Sequence, residues 1–248
     1  MVERKERLEE EFELGAEDEA IHEYEALTDG YLHVTASLIA DEIAHLAKAR
    51  AGVAVDLGSG PGSLVRELAA RFSELLVIGL DISLPMTKLA RERAATDNMK
   101  NVAFVVADVH HLPFQTRSMQ VIVSHGAMHH WRELARALTE IKKVLADKGF
   151  VYLSDLKRDT SDELVEEIAS LLNENQARAF VNSIKAAYTV EELAASAAAA
   201  GLGNLHVEPE AFSRRAIARN IQKLKASPMK GMRQAAINLR MVGGAGTI

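Results

Sequence analysis

Residues 53–62 read V-A-V-D-L-G-S-G-P-G. A small-to-apolar run, Val53 to Val55, leads into Asp56, and glycines follow at alternate positions: Gly58, Gly60 and Gly62. A buried strand that breaks into a glycine-rich turn lets backbone approach a ligand. The helix that should begin at Ser63 would aim its free N–H groups at that ligand. Two familiar phosphate loops are excluded by spacing. A G-x-G-x-x-G dinucleotide turn wants glycine at position 63, where Ser63 stands. A nucleoside triphosphate loop wants Lys and then Ser/Thr after its glycines, and neither follows in register.

The chain on either side has the rhythm of an α/β domain. Apolar runs end at Asp81 (L-L-V-I-G-L-D, 75–81) and Asp108 (N-V-A-F-V-V-A-D-V, 101–109). Further runs span Met119–Ser124 and Phe150–Ser154. Helical periodicity fills the gaps at Ser63–Phe72, Pro85–Ala95 and Leu134–Leu145. Continuous apolar strands alternating with amphipathic helices predict a doubly wound, Rossmann-like, mostly parallel sheet covered on both faces. An acid at the tip of the second strand can accept both ribose hydroxyls of a nucleoside, where it would repel a phosphate. Asp81 could instead serve the cap of the next helix, together with Ser83.

The D-x-G-x-G-x-G pattern of Asp56, Gly58, Gly60 and Gly62, with Pro61 in the turn, resembles motif I of the class I S-adenosylmethionine (SAM) methyltransferases. The A-D-V step at 107–109 with L-P-F at 112–114 resembles the "gDaenLPF" segment of the ubiquinone and menaquinone methyltransferase-like (type 11) branch. E-I-K-K-V-L-A-D-K-G-F at 140–150 resembles "EixRVLkPGG", with Asp147 and Lys148 in place of Pro and Gly. A-Y-T-V-E-E at 187–192 resembles an "AYT-x-E-E" element. The resemblance covers 53–155 well, 156–210 less well, and little else.

The resemblance implies a seven-stranded sheet, with SAM as cofactor and a small-molecule methyl acceptor. It assigns the glycine turn (Asp56, Gly58, Ser59, Gly60, Gly62), the ribose acid Asp81, the adenine flank Ile82 and Met86, and the adenine-amine partner Asp108 beside Val109. His125 and Gly126 would border the methionine part of SAM. Tyr24 and Tyr31 precede the domain and would close over the cofactor, or are boundary tyrosines. An RNA or protein methyltransferase, or a SAM-binding protein without turnover, is the alternative. The N-P-P-Y type element of base methylation is missing after the fourth strand, where His125–His129 stands.

H-G-A-M-H-H-W at 125–131 is the most distinctive local chemistry. A neutral imidazole can take a proton from an acceptor as a methyl group arrives. His129 and His130 are the candidate bases, with His129 expected nearer the cofactor; the plain alternative is that they are pocket walls. His110 and His111 should shape the adenine pocket, and no metal is expected.

Residues 160–188 read as two helices with a break near 173–175, and the resemblance implies that this insertion after the fifth strand forms the lid that sets acceptor choice. Phe180, Ser183 and Tyr188 are its candidates for contact with the acceptor. Thr189 and Glu192 form a capping box that starts the next helix. The expected organisation is a helical N-terminal segment (1–50), a SAM-binding core (51–155), the lid (156–188) and a C-terminal completion of the sheet with a basic helical tail (189–248).

The 248 residues carry a formal charge of -6 and no cysteine. Disulfides, thiolate nucleophiles and cysteine-based zinc sites are thereby excluded. No run of about eighteen apolar residues is present, so no membrane span is expected, and the charged N-terminus predicts a cytoplasmic protein. The acidic balance makes nucleic acid an unlikely partner. Charge is segregated: residues 1–30 hold twelve acids and three bases, and residues 211–248 hold eight bases and no acid. The two segments are either solvated surfaces or face each other within a subunit or across a homodimer.

Overall fold

A computed structural model describes Arg7, residues 34–49, 51–210, 212, 216, 219–220 and 238–244. Tyr24, Tyr31, most of the expected helical N-terminal segment before residue 34 and most of the expected basic helical tail after residue 210 lie outside the described residues. The elements, in order, are α1 (34–46), β1 (Gly52–Leu57), α2 (Ser63–Arg71), β2 (Leu75–Asp81), α3 (Leu84–Thr96), β3 (Val102–Val106), β4 (Met119–His125), α4 (Leu134–Val144), β5 (Leu145–Leu156), α5 (Asp162–Ala169), α6 (Glu174–Ala186), α7 (Val190–Ala199), β6 (His206–Pro209) and β7 (Asn238–Gly244).

The seven strands form one sheet in the order β3-β2-β1-β4-β5-β7-β6. Its first five members are parallel. β7 runs antiparallel between β5 and β6, so it completes the sheet and separates the sixth strand from the fifth. Strand residues alternate between two cores. Val55, Leu57, Ile122, Val151 and Leu153 face α4 and α7. Ala54, Val77, Val121, Val123 and Tyr152 face α1, α2 and α3. With both faces covered, successive positions through the middle of β1 to β5 are mostly apolar, which is why these runs show no regular polar alternation. β5 begins earlier than Phe150 because Leu145 pairs with Met119 ahead of a register shift, and Asp147 and Lys148 continue the strand.

Two joints follow from side chains legible in the sequence. Asn173 caps α6 in a reciprocal box with Gln176, which makes the break between the lid helices. Thr189 and Glu192 form the expected box at α7. Strand order reverses between β1 and β4, so the crevice opens beyond the carboxyl ends of β1, β2 and β4.

Candidate active site

At that crevice lies a cavity of about 290 Å³. Four strand exits supply its lining: Gly58 and Gly60 after β1; Asp81, Ile82 and Met86 after β2; Asp108 and Val109 after β3; Gly126 and His130 after β4. Gly60 (φ 48°) and Gly126 (φ 65°) have left-handed backbone, and a Cβ on either would meet no atom within 4 Å. Both therefore leave room where backbone can touch a ligand. Gly58 and Gly62 are packing residues. A Cβ at 58 would lie 2.4 Å from the Ala127 Cβ, and one at 62 would lie 3.0 Å from the Ala90 Cβ. Ser59 is buried and outside the lining; its N–H donates to the Leu80 carbonyl at 3.0 Å.

Asp81 does two jobs at once. Its Oδ2 accepts the Gly60 N–H at 2.7 Å and its Oδ1 accepts the Ser83 N–H at 2.8 Å. Ser83 in turn caps α3 by accepting the Met86 N–H. A carboxylate oxygen can accept two hydrogen bonds, so lone pairs remain toward the cavity. Burial pushes the Asp81 carboxyl above its ordinary pKa, against the pull of the Ser83 and Gly60 N–H groups. Asp56 sits behind the turn, outside the cavity lining. Its Oδ1 has no hydrogen-bond partner, and burial together with the nearby Asp81 carboxyl raises its pKa to about 8.

On the third exit, Asp108 Oδ1 accepts the His110 N–H at 2.9 Å and meets His110 Nδ1 at 2.6 Å. Burial opposes the charge, yet these contacts hold the Asp108 carboxyl below its usual range. His110 itself lines the cavity, and its Nε2 accepts the Glu133 N–H at 3.2 Å. His111 turns away to Arg136. Among the described residues no group of three or more His, Asp or Glu converges as a metal site.

The two histidines after β4 are placed in the reverse of the expected order. His129 is buried and outside the lining. Its Nδ1 lies 2.8 Å from Asp155 Oδ1, and its backbone N–H donates to Asp155 Oδ2 at 2.7 Å. Burial opposes the Asp155 charge, but His129 keeps that carboxyl below its ordinary pKa. His130 lines the cavity, its ring centroid 4.0 Å from that of His129. Burial, with His129 alongside, lowers the His130 pKa to about 3, so this imidazole is neutral at physiological pH. The reason for the reversal is Asp155, which holds both the N–H and the ring of His129 within the short 3₁₀ turn Met128–His130 and leaves the neighbouring His130 ring at the cavity. His125 is outside the lining, with Nδ1 3.3 Å from Ser154 Oγ, and burial lowers its pKa.

None of Phe180, Ser183 and Tyr188 lines the cavity. Tyr188 is buried behind the wall, where its hydroxyl donates to the Trp131 carbonyl at 3.1 Å. Tyr188, between α6 and α7, thus supports the cavity wall from behind. Sequence reasoning had missed Trp131 and Arg132 as lining residues and Asp155 as the partner of His129. An acid one residue past an apolar strand was a visible signal for Asp155. Nothing local distinguished Arg132 from other exposed arginines.

An acid-tipped second strand, apolar walls at Ile82, Met86 and Val109, and two glycines facing open space together suit a nucleoside carrying a small polar tail. The fold and crevice define a nucleoside-cofactor domain of the doubly wound class. Residues 54–149 match the family model described as "Methyltransferase domain". The demethylmenaquinone methyltransferase of Thermotoga maritima is 32% identical over 102 residues, 41% of this chain and 42% of that protein. The malonyl-[acyl-carrier protein] O-methyltransferase of a Marinomonas species is 28% identical over 155 residues, 62% of this chain and 57% of that protein. The chain thus spans about half the length of these curated relatives. Among solved structures, the plantazolicin methyltransferase BpumL, in complex with a monoazolic desmethylPZN analog and SAH, superposes with a TM-score of 0.72 at 15% identity, covering 91% of this chain and 89% of that one. A putative S-adenosyl-L-methionine-dependent methyltransferase from Methanococcus maripaludis gives 0.60 at 19% identity, covering 95% of each chain. Residues 54–149 thus match a methyltransferase domain and are similar in sequence to a menaquinone-type enzyme, within a fold shared with the class I SAM-dependent methyltransferases. The lining of the cavity and the match to a methyltransferase domain both fit SAM as the cofactor.

Proposed function

We propose that the protein transfers a methyl group to a small-molecule acceptor. One observation carries the reading: a single cavity joins the nucleoside end, at Asp81 and Asp108, to an imidazole and indole wall at His130 and Trp131. The bound cofactor supplies an electrophilic methyl group on a sulfonium. The chain's own work is alignment, which is the main requirement of an in-line displacement. Asp81 accepts the ribose hydroxyls, Asp108 and the Val109 N–H hold the adenine edge, and Gly60 and Gly126 admit the chain of the cofactor past bare backbone. His130, neutral with a pKa near 3, accepts a hydrogen bond from an acceptor O–H or N–H and orients it. At that pKa it retains a proton poorly, so an acceptor that ionises readily suits this site better than one needing a strong base. The two curated relatives act, by name, on demethylmenaquinone and on an acyl-carrier-bound malonyl group, which supports a small organic acceptor.

The test is production of S-adenosylhomocysteine when the purified protein meets SAM and a cell metabolite extract. Product that forms with RNase-treated, protein-free extract supports the reading. Product that requires intact RNA or protein shifts the acceptor class to macromolecules, and tight SAM binding without product makes this a binding protein.

A further inference from the structure

Residues 186–188, between α6 and α7, are gripped from two sides. From the sheet, Arg158 Nη1 donates to the Ala187 carbonyl at 2.6 Å, and the Arg158 N–H donates to the Tyr188 carbonyl at 3.3 Å. From the far N-terminal end comes Arg7. Its Nε donates to the Ala186 carbonyl at 2.7 Å, and its guanidinium carbon lies 4.3 Å from the centre of the Tyr188 ring. The same guanidinium reaches a third group, with Nη2 donating to the His129 carbonyl at 3.0 Å. Tyr188 completes the link through its hydroxyl on the Trp131 carbonyl.

The carbonyls on either side of His130 are therefore held by Arg7 and by the ring on which Arg7 stacks. The opposite side of the same turn is held by Asp155 through the His129 N–H. His130 and Trp131 are the wall of the cavity. We propose that Arg7 is a positioning residue for that wall, although it stands more than a hundred positions from it in the sequence. Arginine is the residue type this needs. One rigid fork presents divergent donors to carbonyls on two elements while its face lies on an aromatic ring. A lysine supplies the charge but not the fork.

Hydrogen exchange on the full chain reads the effect without any ligand. In Arg7→Ala the amides of His130, Trp131 and Ala187 should exchange faster by about tenfold or more, because charge-assisted hydrogen bonds restrain the turn. Those of β1–β3 should keep their wild-type rates. Affinity for S-adenosylhomocysteine, which shares the cavity, should fall by about fivefold, the effect of losing roughly one hydrogen bond's worth of organisation. Arg7→Lys should resemble Arg7→Ala. Tyr188→Phe keeps the ring, so it should loosen His130 and Trp131 and leave Ala187 nearly as in the wild type. Wild-type exchange at all three amides in Arg7→Ala overturns the proposal. Faster exchange spread evenly over β1–β3 does so too, since Arg7 would then stabilise the fold and position nothing. Full protection in Arg7→Lys overturns the fork.

Discussion

At the scale of single residues, the site is built from groups whose protonation is set by burial. Asp81→Ala should weaken SAM binding by roughly 2–3 kcal/mol, the scale of lost hydrogen bonds involving a charged group. Calorimetric titration checks this, and an unchanged affinity removes the ribose assignment. Asp56 makes the opposite kind of prediction. Its folded pKa, about 8, stands above the ordinary carboxyl value of 3.8, so the folded state binds its proton more tightly. The stability it contributes is full below about pH 4 and is lost as pH rises toward 8, by up to ~1.4 kcal/mol per pH unit. Asp56→Asn should therefore gain stability over the wild type progressively between pH 5 and 8 in denaturant melts without cofactor. A difference independent of pH would place the Asp56 proton elsewhere. His130 titrates far below its usual 6.5, so His130→Gln should cut turnover without removing any rate inflection between pH 5 and 8. We expect a loss of about tenfold, below the 10²–10⁴ of a positioned base, with SAM affinity kept. A larger loss that shrinks as pH rises would restore the role of base to this residue.

At the scale of elements, caps and helix ends determine where the lid stops. The Thr189 hydroxyl accepts the Glu192 N–H, and the Glu192 carboxylate accepts the Thr189 N–H at 3.0 Å. Glu192 also pairs with Arg158, which carries the Ala187 carbonyl. Thr189→Ala should thus cost about 1 kcal/mol of stability, as a lost N-cap does. Its effect on SAM affinity should be small, because neither residue lines the cavity. Chemical denaturation with a parallel titration separates the two quantities. Tyr188 was an acceptor-contact candidate by resemblance and is a strut in the structure. The A-Y-T-V-E-E string marked an important position, and only the Tyr188 hydroxyl on the Trp131 carbonyl shows what it does.

At the scale of the whole molecule, two of the basic C-terminal residues are paired with acids of α1 and β6. Asp41 on α1 lies 2.9 Å from Arg71 and 3.2 Å from Arg219, and also accepts from Asn220 at 2.8 Å. Arg240 of β7 reaches Glu42 on α1 at 3.7 Å and Glu208 at 2.7 Å. The basic C-terminal residues thus pair with acids just beyond the acidic arm; the arm itself, Arg7 apart, lies outside the described residues. Burial disfavours the Asp41 charge, but Arg71 and Asn220 hold its carboxyl below its ordinary pKa. Its contribution is present above about pH 4 and is lost as pH falls through the lowered value. Asp41→Ala should cost about 1.5–3 kcal/mol at pH 7, since it removes a charged acceptor from Arg71 and from the buried Asn220 amide, while Glu67 still pairs with Arg71. The penalty should shrink in acid. Melting curves at pH 7 and pH 3 check both, and equal penalties at the two values would count against the ion cluster.

The order of strands and helices from 51 to 210 was legible because each strand is an apolar run bounded by turn chemistry. The nucleoside end of the cavity was legible because its groups sit at strand ends, where local sequence places them. Three-residue turns and contacts across the chain obey no such local rule. The reversal of His129 and His130 depends on a single 3₁₀ turn and on Asp155, 26 positions from His129. The separate tasks of the four motif glycines 58, 60, 62 and 126 depend on which neighbour stands opposite each Cα. The junction of Arg7 with residues 129 and 186 joins segments more than a hundred positions apart. Sequence determined the fold and the cofactor because strand periodicity and a glycine turn are local, whereas the acceptor wall is made of long-range contacts that only the packed chain creates.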